Sequence, residues 1–295
     1  MLAAHNLTAG LGTSAEGVES ASIDGGKKTT NVSYAYLQDD WYPLAHFNIV
    51  ASLRYDAHQD FADNLSPKLA FACNPWEWFT FRASVVSGFK APTSEQLYLD
   101  WSNPTSGYSV FGVVNIRSAV AQLEQRGELA PGSVDFSAIK MLTPERSVSV
   151  DFGWSLRWGD MFEMRANFFA NKINDMILFQ PIAQKLSGGN VWTYFNLNSA
   201  YTRGIEAKFK LSPPSERIGL PNWIRLALDA SYQYLTSGDE AKLDSIRAGR
   251  VGYVDSRGHY HRTTESEYGG LVGRAEHSGL LRLSAEVPDQ GITFS

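Results

Sequence analysis

The sequence has few of the features that stabilise a protein covalently or anchor it through helices. Its single cysteine, Cys73, rules out a disulfide framework within the chain. No run of apolar residues approaches the roughly 18 that a transmembrane helix needs. Hydrophobic residues still make up 43% of the chain, which excludes a disordered protein. Two classes remain: a soluble β-protein, and a membrane β-barrel whose strands are too weakly hydrophobic for a hydropathy scan.

Positive charge and targeting signals are also scarce. The formal net charge is −5, which argues against a nucleic-acid partner. Residues 1–5 show neither the basic nor the apolar segment of a signal peptide. If the protein is exported, we expect its true start to lie elsewhere.

Motifs for catalysis and cofactor binding are missing as well. The glycine-rich segment 25–28 lacks the upstream glycine and the hydroxyl of a phosphate-binding loop, and no nucleophile elbow occurs. His259 and His261 would lie on one side of a strand, as metal ligands could, but they stand among many charged residues and are better read as part of a solvated loop. We therefore predict no catalytic residues, no metal site and no cofactor.

What the sequence does contain is alternation of apolar and polar residues. Residues 47–56 and 148–157 alternate with a period of two, which predicts strands with one apolar and one polar face. The only acceptable helical candidate runs from Ser118 to Arg126. The predicted strands are 4–13, 29–40, 46–56, 66–73, 78–87, 146–157, 161–180, 191–211, 223–236 and 275–287, with an eleventh beginning near Gly291.

The predicted connections alternate in length. One set is short, at 41–45, 74–77, 158–160, 212–222 and 288–290. The other set is mostly long, at 14–28, 88–145, 181–190 and 237–274, with a modest one at 57–65. Short turns at one end and long loops at the other are typical of outer-membrane barrels, whereas a soluble sandwich has no reason for this asymmetry.

Five of the eight tryptophans lie in or beside the short connections: Trp41, Trp76, Trp78, Trp158 and Trp223. Tryptophan favours the boundary between membrane and water, so this placement predicts an aromatic girdle. The alternative is aromatic packing at one end of a soluble sandwich.

The alternation also predicts which side chains share a face. The lipid-facing set is Phe47, Ile49, Leu53, Val148, Val150, Phe152, Trp154, Phe162 and Phe168. The set facing the lumen is Arg54, Asp56, Arg82, Asp151, Arg157, Glu163 and Arg165. Because buried charges need partners, we expect most of this second set to pair across strands or with a domain inside the barrel.

Several stretches resemble one known family. These stretches are, in order, 35–41 (AYLQDDW), 51–56 (ASLRYD), 66–71 (SPKLAF), 81–84 (FRAS), 87–93 (SGFKAPT), 142–147 (LTPERS), 168–177 (FFANKINDMI) and 202–207 (TRGIEA). They are similar to motifs of the TonB-dependent receptors. Each motif is weak alone, but their order and spacing follow the family. Together they cover most of residues 31–211.

The resemblance implies an all-β fold in the bacterial cell outer membrane. The family builds an antiparallel, up-and-down barrel of about 22 strands around a plug domain that precedes it in sequence. Neither the plug nor its energy-coupling box is recognisable here. We therefore expect residues 1–295 to be a partial barrel domain, an incomplete transmembrane wall of about 10–11 strands. Its partners would be outer-membrane lipid, the plug, and the TonB energy-transducing protein through the missing N-terminal part.

The implied function is energy-coupled import of a scarce nutrient, with an iron–siderophore complex as the expected ligand. A receptor for carbohydrate or cobalamin, and a non-specific porin or adhesin, remain alternatives; a barrel enzyme would need a histidine near a serine and a carboxylate. Haem is disfavoured because no histidine lies between Pro92 and Pro144, where haem-uptake members carry one. The candidate ligand-binding residues lie in the two longest loops, where aromatics and arginines suit an anionic chelate: Tyr98, Trp101, Tyr108, Arg250, Tyr253, Arg257, Tyr260 and Arg262.

Overall fold

The computed structural model describes residues 4–103, 105–271, 273–287 and 290–295, without the side chain of Asn198. Strands β1–β5 are Ala4–Glu19, Lys27–Leu44, Phe47–His58, Asn64–Trp76 and Phe79–Lys90; the short strands β6 (Asp100–Ser102) and β7 (Ser109–Phe111) follow in a long connection. Strands β8–β11 are Glu145–Trp158, Phe162–Gln184, Asn190–Leu211 and Arg225–Asp239; then come β12 (Gly252–Val254), β13 (Tyr260–Arg262), β14 (His277–Val287) and β15 (Ile292–Phe294). The helices are α1 (Ser94–Tyr98), α2 (Ile116–Gln125) and α3 (Glu240–Arg247), with short 3₁₀ helices at Ser215–Ile218 and Glu265–Glu267.

The wall is a single antiparallel meander. Its order is β1-β2-β3-β4-β5-β8-β9-β10-β11-β14-β15, so each long strand pairs with the next long strand of the chain. Within the described residues β1 and β15 pair on one side only, which makes them the two edges of an open sheet. The predicted all-β, up-and-down barrel wall is confirmed. Among the described residues, no helix is long and apolar enough to span a membrane.

Two of the predicted long connections are wrong. The segment 14–28 is mostly strand, because β1 continues to Glu19 and β2 begins at Lys27. The segment 181–190 is likewise mostly hairpin, with only 185–189 between β9 and β10. The extension 14–19 carries polar residues on both faces, and the extension 181–184 is too short to alternate, so side-chain periodicity cannot reveal them. The long connections that remain are 91–144 and 240–276.

The strand register separates the predicted faces. Ile49 lies opposite Phe71, which lies opposite Ala83, and the same row continues through Phe152 and Phe168. Residues directly opposite each other in a sheet share a face, so this row is apolar across five strands. Starting from Arg82, a second row passes through Gly153 and Asn167 to Glu206 and Gln233. The predicted apolar and charged sets therefore lie on opposite sides of the wall.

The apolar face has the height of a membrane. On β8 it runs from Trp158 to Val148, about ten residue steps, or roughly 34 Å along the strand. With the strand tilt of about 40° usual in outer-membrane barrels, this becomes roughly 26 Å, close to their apolar band of about 25 Å. Phe152 and Leu281 are among the large side chains exposed on this face. Such a continuous apolar surface is suited to lipid and not to water.

The long connection 91–144, which we call the cap, has a core of its own. Its fully or almost fully buried side chains include Ile116 and Val120 of α2, packed with Val191 of β10. The predicted helix 118–126 is confirmed as α2, whose apolar residues at this spacing form one buried stripe. The cap is thus a folded unit seated on the β9–β10 hairpin.

The cap also connects the tips of separated hairpins. Leu99 forms a β-bridge with Ile23 in the β1–β2 connection, and Leu129 forms another with Lys185 in the β9–β10 connection. In addition, β7 pairs in parallel with residues 191–193 of β10, beyond the point where β11 ends. The backbone groups along this stretch of β10 therefore find partners instead of remaining an open edge.

Candidate functional site

The predicted aromatic residues of the cap lie at the long-loop rim but are largely engaged in packing. The rings of Trp101 and Tyr108 meet edge to face with centroids 5.3 Å apart, between β6 and β7. Tyr98 packs against the buried core of the cap, and the ammonium group of Lys28 lies 4.5 Å from the centre of its ring. All three side chains are half-buried. Their first role in the structure is to hold the cap together.

The second set of predicted residues lies on a small hairpin formed by β12 and β13. Tyr253 and Tyr260 are 52% and 58% exposed, and Arg257 and Arg262 are also exposed. Within the part of the chain that the structure describes, neither of these arginines nor the neighbouring Arg250 forms an ion pair. The hairpin therefore presents guanidinium groups and phenol rings to solvent.

Asp255 organises this hairpin from its turn. Its Oδ1 accepts hydrogen bonds from the backbone N–H groups of Arg257 and His259, each 2.9 Å long, while its Oδ2 lies 3.0 Å from Nε2 of His261. These bonds, led by the one from the backbone of His259, hold the pKa of Asp255 below its ordinary value. Both histidines are thus occupied with a structural carboxylate. No group of three or more His, Cys, Asp or Glu side chains suited to a metal ion occurs among the described residues.

The base of the same loop is held by charge pairs. The guanidinium of Arg247, at the end of α3, donates from Nε and Nη2 to the two carboxylate oxygens of Glu265, at 2.9 and 3.0 Å. This pair lowers the pKa of Glu265. At the other end of α3, Glu240 accepts hydrogen bonds from Ser199 and Lys172. The exposed hairpin therefore stands on a fixed base.

The two predicted sets remain separate. In the described residues no hydrogen bond or ring contact joins the cap aromatics to the β12–β13 hairpin. A ligand touching both would have to bridge them.

The charged residues of the other face pair largely within the wall. Arg54 binds Asp56 at 2.6 Å, and Glu163 is flanked by Arg157 at 3.9 Å and by Arg165. A cavity of about 250 Å³ lies on this face, between Arg82 and Lys208. The expected pairing across strands is met by Arg157 and Glu163, whereas Arg54 and Arg165 pair with carboxylates two residues away on their own strands.

One polar cluster in the cap could not be predicted from the sequence. Ser109 is fully buried, and its Oγ lies 2.6 Å from Oγ of Ser102 and 2.6 Å from Nζ of Lys185. The three residues come from β6, β7 and the β9–β10 turn, so nothing in their sequence spacing announces them. The cluster ties the cap to the hairpin tip below it.

Comparison with known proteins now decides the family. Residues 5–276 match the model of the family described as TonB dependent receptor-like, beta-barrel. The chain belongs to this family. It is a family of receptors whose barrels lie in the bacterial outer membrane.

Several relatives of this TonB-dependent receptor barrel are known. Over 79% of its length, the chain is 22% identical to an iron-regulated outer membrane virulence protein of Vibrio cholerae, and the match covers 32% of that protein. Over 64% of its length, it is 26% identical to the ferric enterobactin receptor PirA of Pseudomonas aeruginosa, and the match covers 24% of that receptor. The chain thus spans a third or less of these relatives.

Solved structures show the same fold. The crystal structure of the siderophore receptor PirA from Pseudomonas aeruginosa superposes with a TM-score of 0.55 at 21% identity. The match covers 79% of this chain and 37% of that one. At this identity the likeness establishes the barrel architecture.

Proposed function

We propose that this TonB-dependent receptor barrel serves the energy-coupled import of an iron–siderophore complex. Relatives named as siderophore, ferric enterobactin and iron-regulated receptors support the ligand class. The plug domain and the TonB energy-transducing protein are the partners that this role requires. No catalytic step is assigned to the chain.

The observation that carries the proposal is the exposed β12–β13 hairpin. Three arginines without ion pairs in the described residues stand beside two exposed tyrosines. Guanidinium groups donate charge-assisted hydrogen bonds to anionic chelates, and phenol rings stack on aromatic ones. We place first contact with the ligand at Arg250, Tyr253, Arg257, Tyr260 and Arg262.

The cap aromatics take a secondary place in this proposal. Tyr98, Trp101 and Tyr108 remain candidate ligand contacts, but each already has a packing partner in or beside the cap. They would line one side of the mouth and keep the cap rigid while the hairpin captures the ligand.

The test is ligand uptake by cells that carry the native receptor containing this chain. Changing Arg250, Arg257 and Arg262 together to Ala should lower the affinity for an anionic ferric chelate by at least about tenfold, because charged hydrogen bonds contribute about 1.5–3 kcal/mol each. A control variant changes Lys27, Arg126 and Lys140 to Ala, which removes the same charge from other exposed positions.

The control should bind the chelate normally, and both variants should assemble into heat-modifiable barrels. Unchanged binding of every ferric chelate tried, together with growth that depends on a neutral glycan, would transfer the assignment to carbohydrate import. Uptake of cobalamin in place of ferric chelates would make the protein a cobalamin receptor, and unspecific diffusion of small solutes would make it a porin.

A further inference from the structure

Three cations end the apolar face of the wall at its long-loop side. Arg146 opens β8, Lys172 lies in β9 and Arg203 in β10. All three positions belong to the apolar face, because Lys172 lies opposite Val148 and Arg203 lies opposite Ala170. We call these three residues the cationic row.

The register places the row on one diagonal across β8, β9 and β10. Arg146 is opposite Asn174, two residues beyond Lys172; Lys172 is opposite Tyr201, two residues before Arg203. The row thus moves diagonally by two residues per strand. Strands in outer-membrane barrels tilt by about 35–45° from the barrel axis. Residues at the same height on neighbouring strands are therefore offset along the strands, as the members of this row are.

That height is the outer boundary of the membrane. Immediately below the row, the face is apolar at Val148, Ala170 and Ile205. The apolar stretch of β8 below Arg146 measures roughly 26 Å once strand tilt is included, which is the thickness of the apolar band. The row also lies at the end that carries the long loops, which in this architecture face the outside.

The row carries more positive charge than its surroundings neutralise. Lys172 pairs with Glu240 at 2.9 Å. Arg203 has its guanidinium 5.3 Å from the ring centre of Tyr201 and donates from Nε to Thr236 at 3.4 Å. Neither Arg146 nor Arg203 forms an ion pair in the described part of the chain. Three cations facing one carboxylate leave a charge of about +2 at the lipid boundary.

We propose that the cationic row binds the phosphate-bearing headgroup of a glycolipid in the outer leaflet. Arginine and lysine donate short, charge-assisted hydrogen bonds to phosphate oxygens. The apolar residues below would meet the acyl chains of the same lipid, so one molecule satisfies both parts of the surface. Tyr201 adds a ring at the level where aromatic residues favour the membrane interface.

The experiment uses the native receptor containing this chain, purified in detergent and titrated with lipid A that carries its two phosphates. A variant with Arg146, Lys172 and Arg203 changed to Gln should bind this lipid on the order of a hundredfold more weakly, from about 1 kcal/mol for each basic residue near an anionic surface. The matched control changes Arg250, Arg257 and Arg262 to Gln and should bind the lipid like the unmodified receptor. Native mass spectrometry measures the bound lipid in each case.

Dephosphorylated lipid A tests whether the row recognises the phosphates. It should bind the unmodified receptor and the row variant equally weakly. Equal retention of phosphorylated lipid A by the row variant and the unmodified receptor would overturn the proposal, as would equal binding of the two lipids to the unmodified receptor. If the triple variant does not assemble, Arg146→Gln alone should lower the affinity about fivefold. Arg146 lies outside the base of the hairpin loop, so ferric-chelate binding by Arg146→Gln should stay normal, and a failed siderophore proposal would not affect this result.

Discussion

The cap and the hairpin loop are both long connections at the same rim, yet they use their aromatic residues in opposite ways. The cap, residues 91–144, buries an apolar core that includes Ile116 and Val120. The hairpin loop, residues 240–276, buries Leu243 and Ile246 at its base but leaves Tyr253 exposed. A loop with its own core becomes part of the scaffold, whereas a loop held only at its base can present side chains to a ligand.

The largest effect should come from placing a charge in the core of the cap. Val120 is 1% exposed, so Val120→Asp would bury an unpaired carboxylate and should destabilise the cap by at least about 4 kcal/mol. Hydrogen exchange should show residues 91–144 opening while the wall strands stay protected. Gln122→Asp, on the exposed side of α2, is the control and should leave exchange unchanged.

If Val120→Asp also unfolds the wall, the cap and the wall form one cooperative unit. The cap could then not be treated as a loop with an independent core in the comparison with the hairpin loop. Heat-modifiable migration of the variant in detergent distinguishes the two cases.

A smaller effect should separate a packing aromatic from a presenting one. Trp101→Ala removes the edge-to-face contact with Tyr108 and should cost the cap about 1–3 kcal/mol. Tyr260→Ala should change stability by less than about 0.5 kcal/mol, because the ring is 58% exposed. Amide hydrogen-exchange rates in β6 and β7 measure the loss of cap stability in Trp101→Ala.

Chelate binding by the same two variants tests whether the hairpin or the cap contacts the ligand. We expect Tyr260→Ala to weaken binding of a ferric chelate although the fold is intact. A Tyr260→Ala receptor with full affinity, beside a Trp101→Ala receptor with none, would move the ligand contacts from the hairpin to the cap.

The smallest effect should be a response of the hairpin loop to acid. The pKa of Asp255 is lowered by hydrogen bonds from the backbone of His259 and the side chain of His261. A carboxylate with a lowered pKa stabilises the fold above the pKa of the unfolded chain, about 3.9 for aspartate, and loses this contribution as the pH falls through the lowered value.

Amide exchange in β12 and β13 should therefore accelerate in that acidic range. In Asp255→Asn, the hairpin should lose this pH dependence because the amide does not titrate. An identical acid response in the variant would show that another group controls the hairpin.

Most of the wall could be predicted from the sequence because a strand has only two faces. Alternation placed Phe152 and Phe168 on one side and Arg82 on the other, and the register agrees. Prediction was wrong at the strand ends: residues 14–19 are strand although both faces carry polar side chains, and residues 181–184 are strand although they are too few to show alternation. A ladder above the membrane is held by backbone hydrogen bonds, which leave no trace in side-chain periodicity.

The helices and the candidate site were predictable only in part. Helix α2 has enough turns to show a periodic pattern, whereas α1 and α3, of 5 and 8 residues, are too short. At Gly204 the sequence shows only a glycine within a motif, and the structure gives a reason for it: a Cβ there would overlap the backbone oxygen of Tyr234.

The sequence by itself determined the period-two pattern, the short turns rich in tryptophan and the membership of a receptor family. These properties depend on neighbouring residues or on motif order, and they survive without knowledge of which strands meet. Only the tertiary structure decided that Trp101 packs while Tyr260 is exposed, and that Arg146, Lys172 and Arg203 form one row. Those facts depend on register and on contacts between distant segments, because a shift of one residue would move every side chain of a strand to its other face.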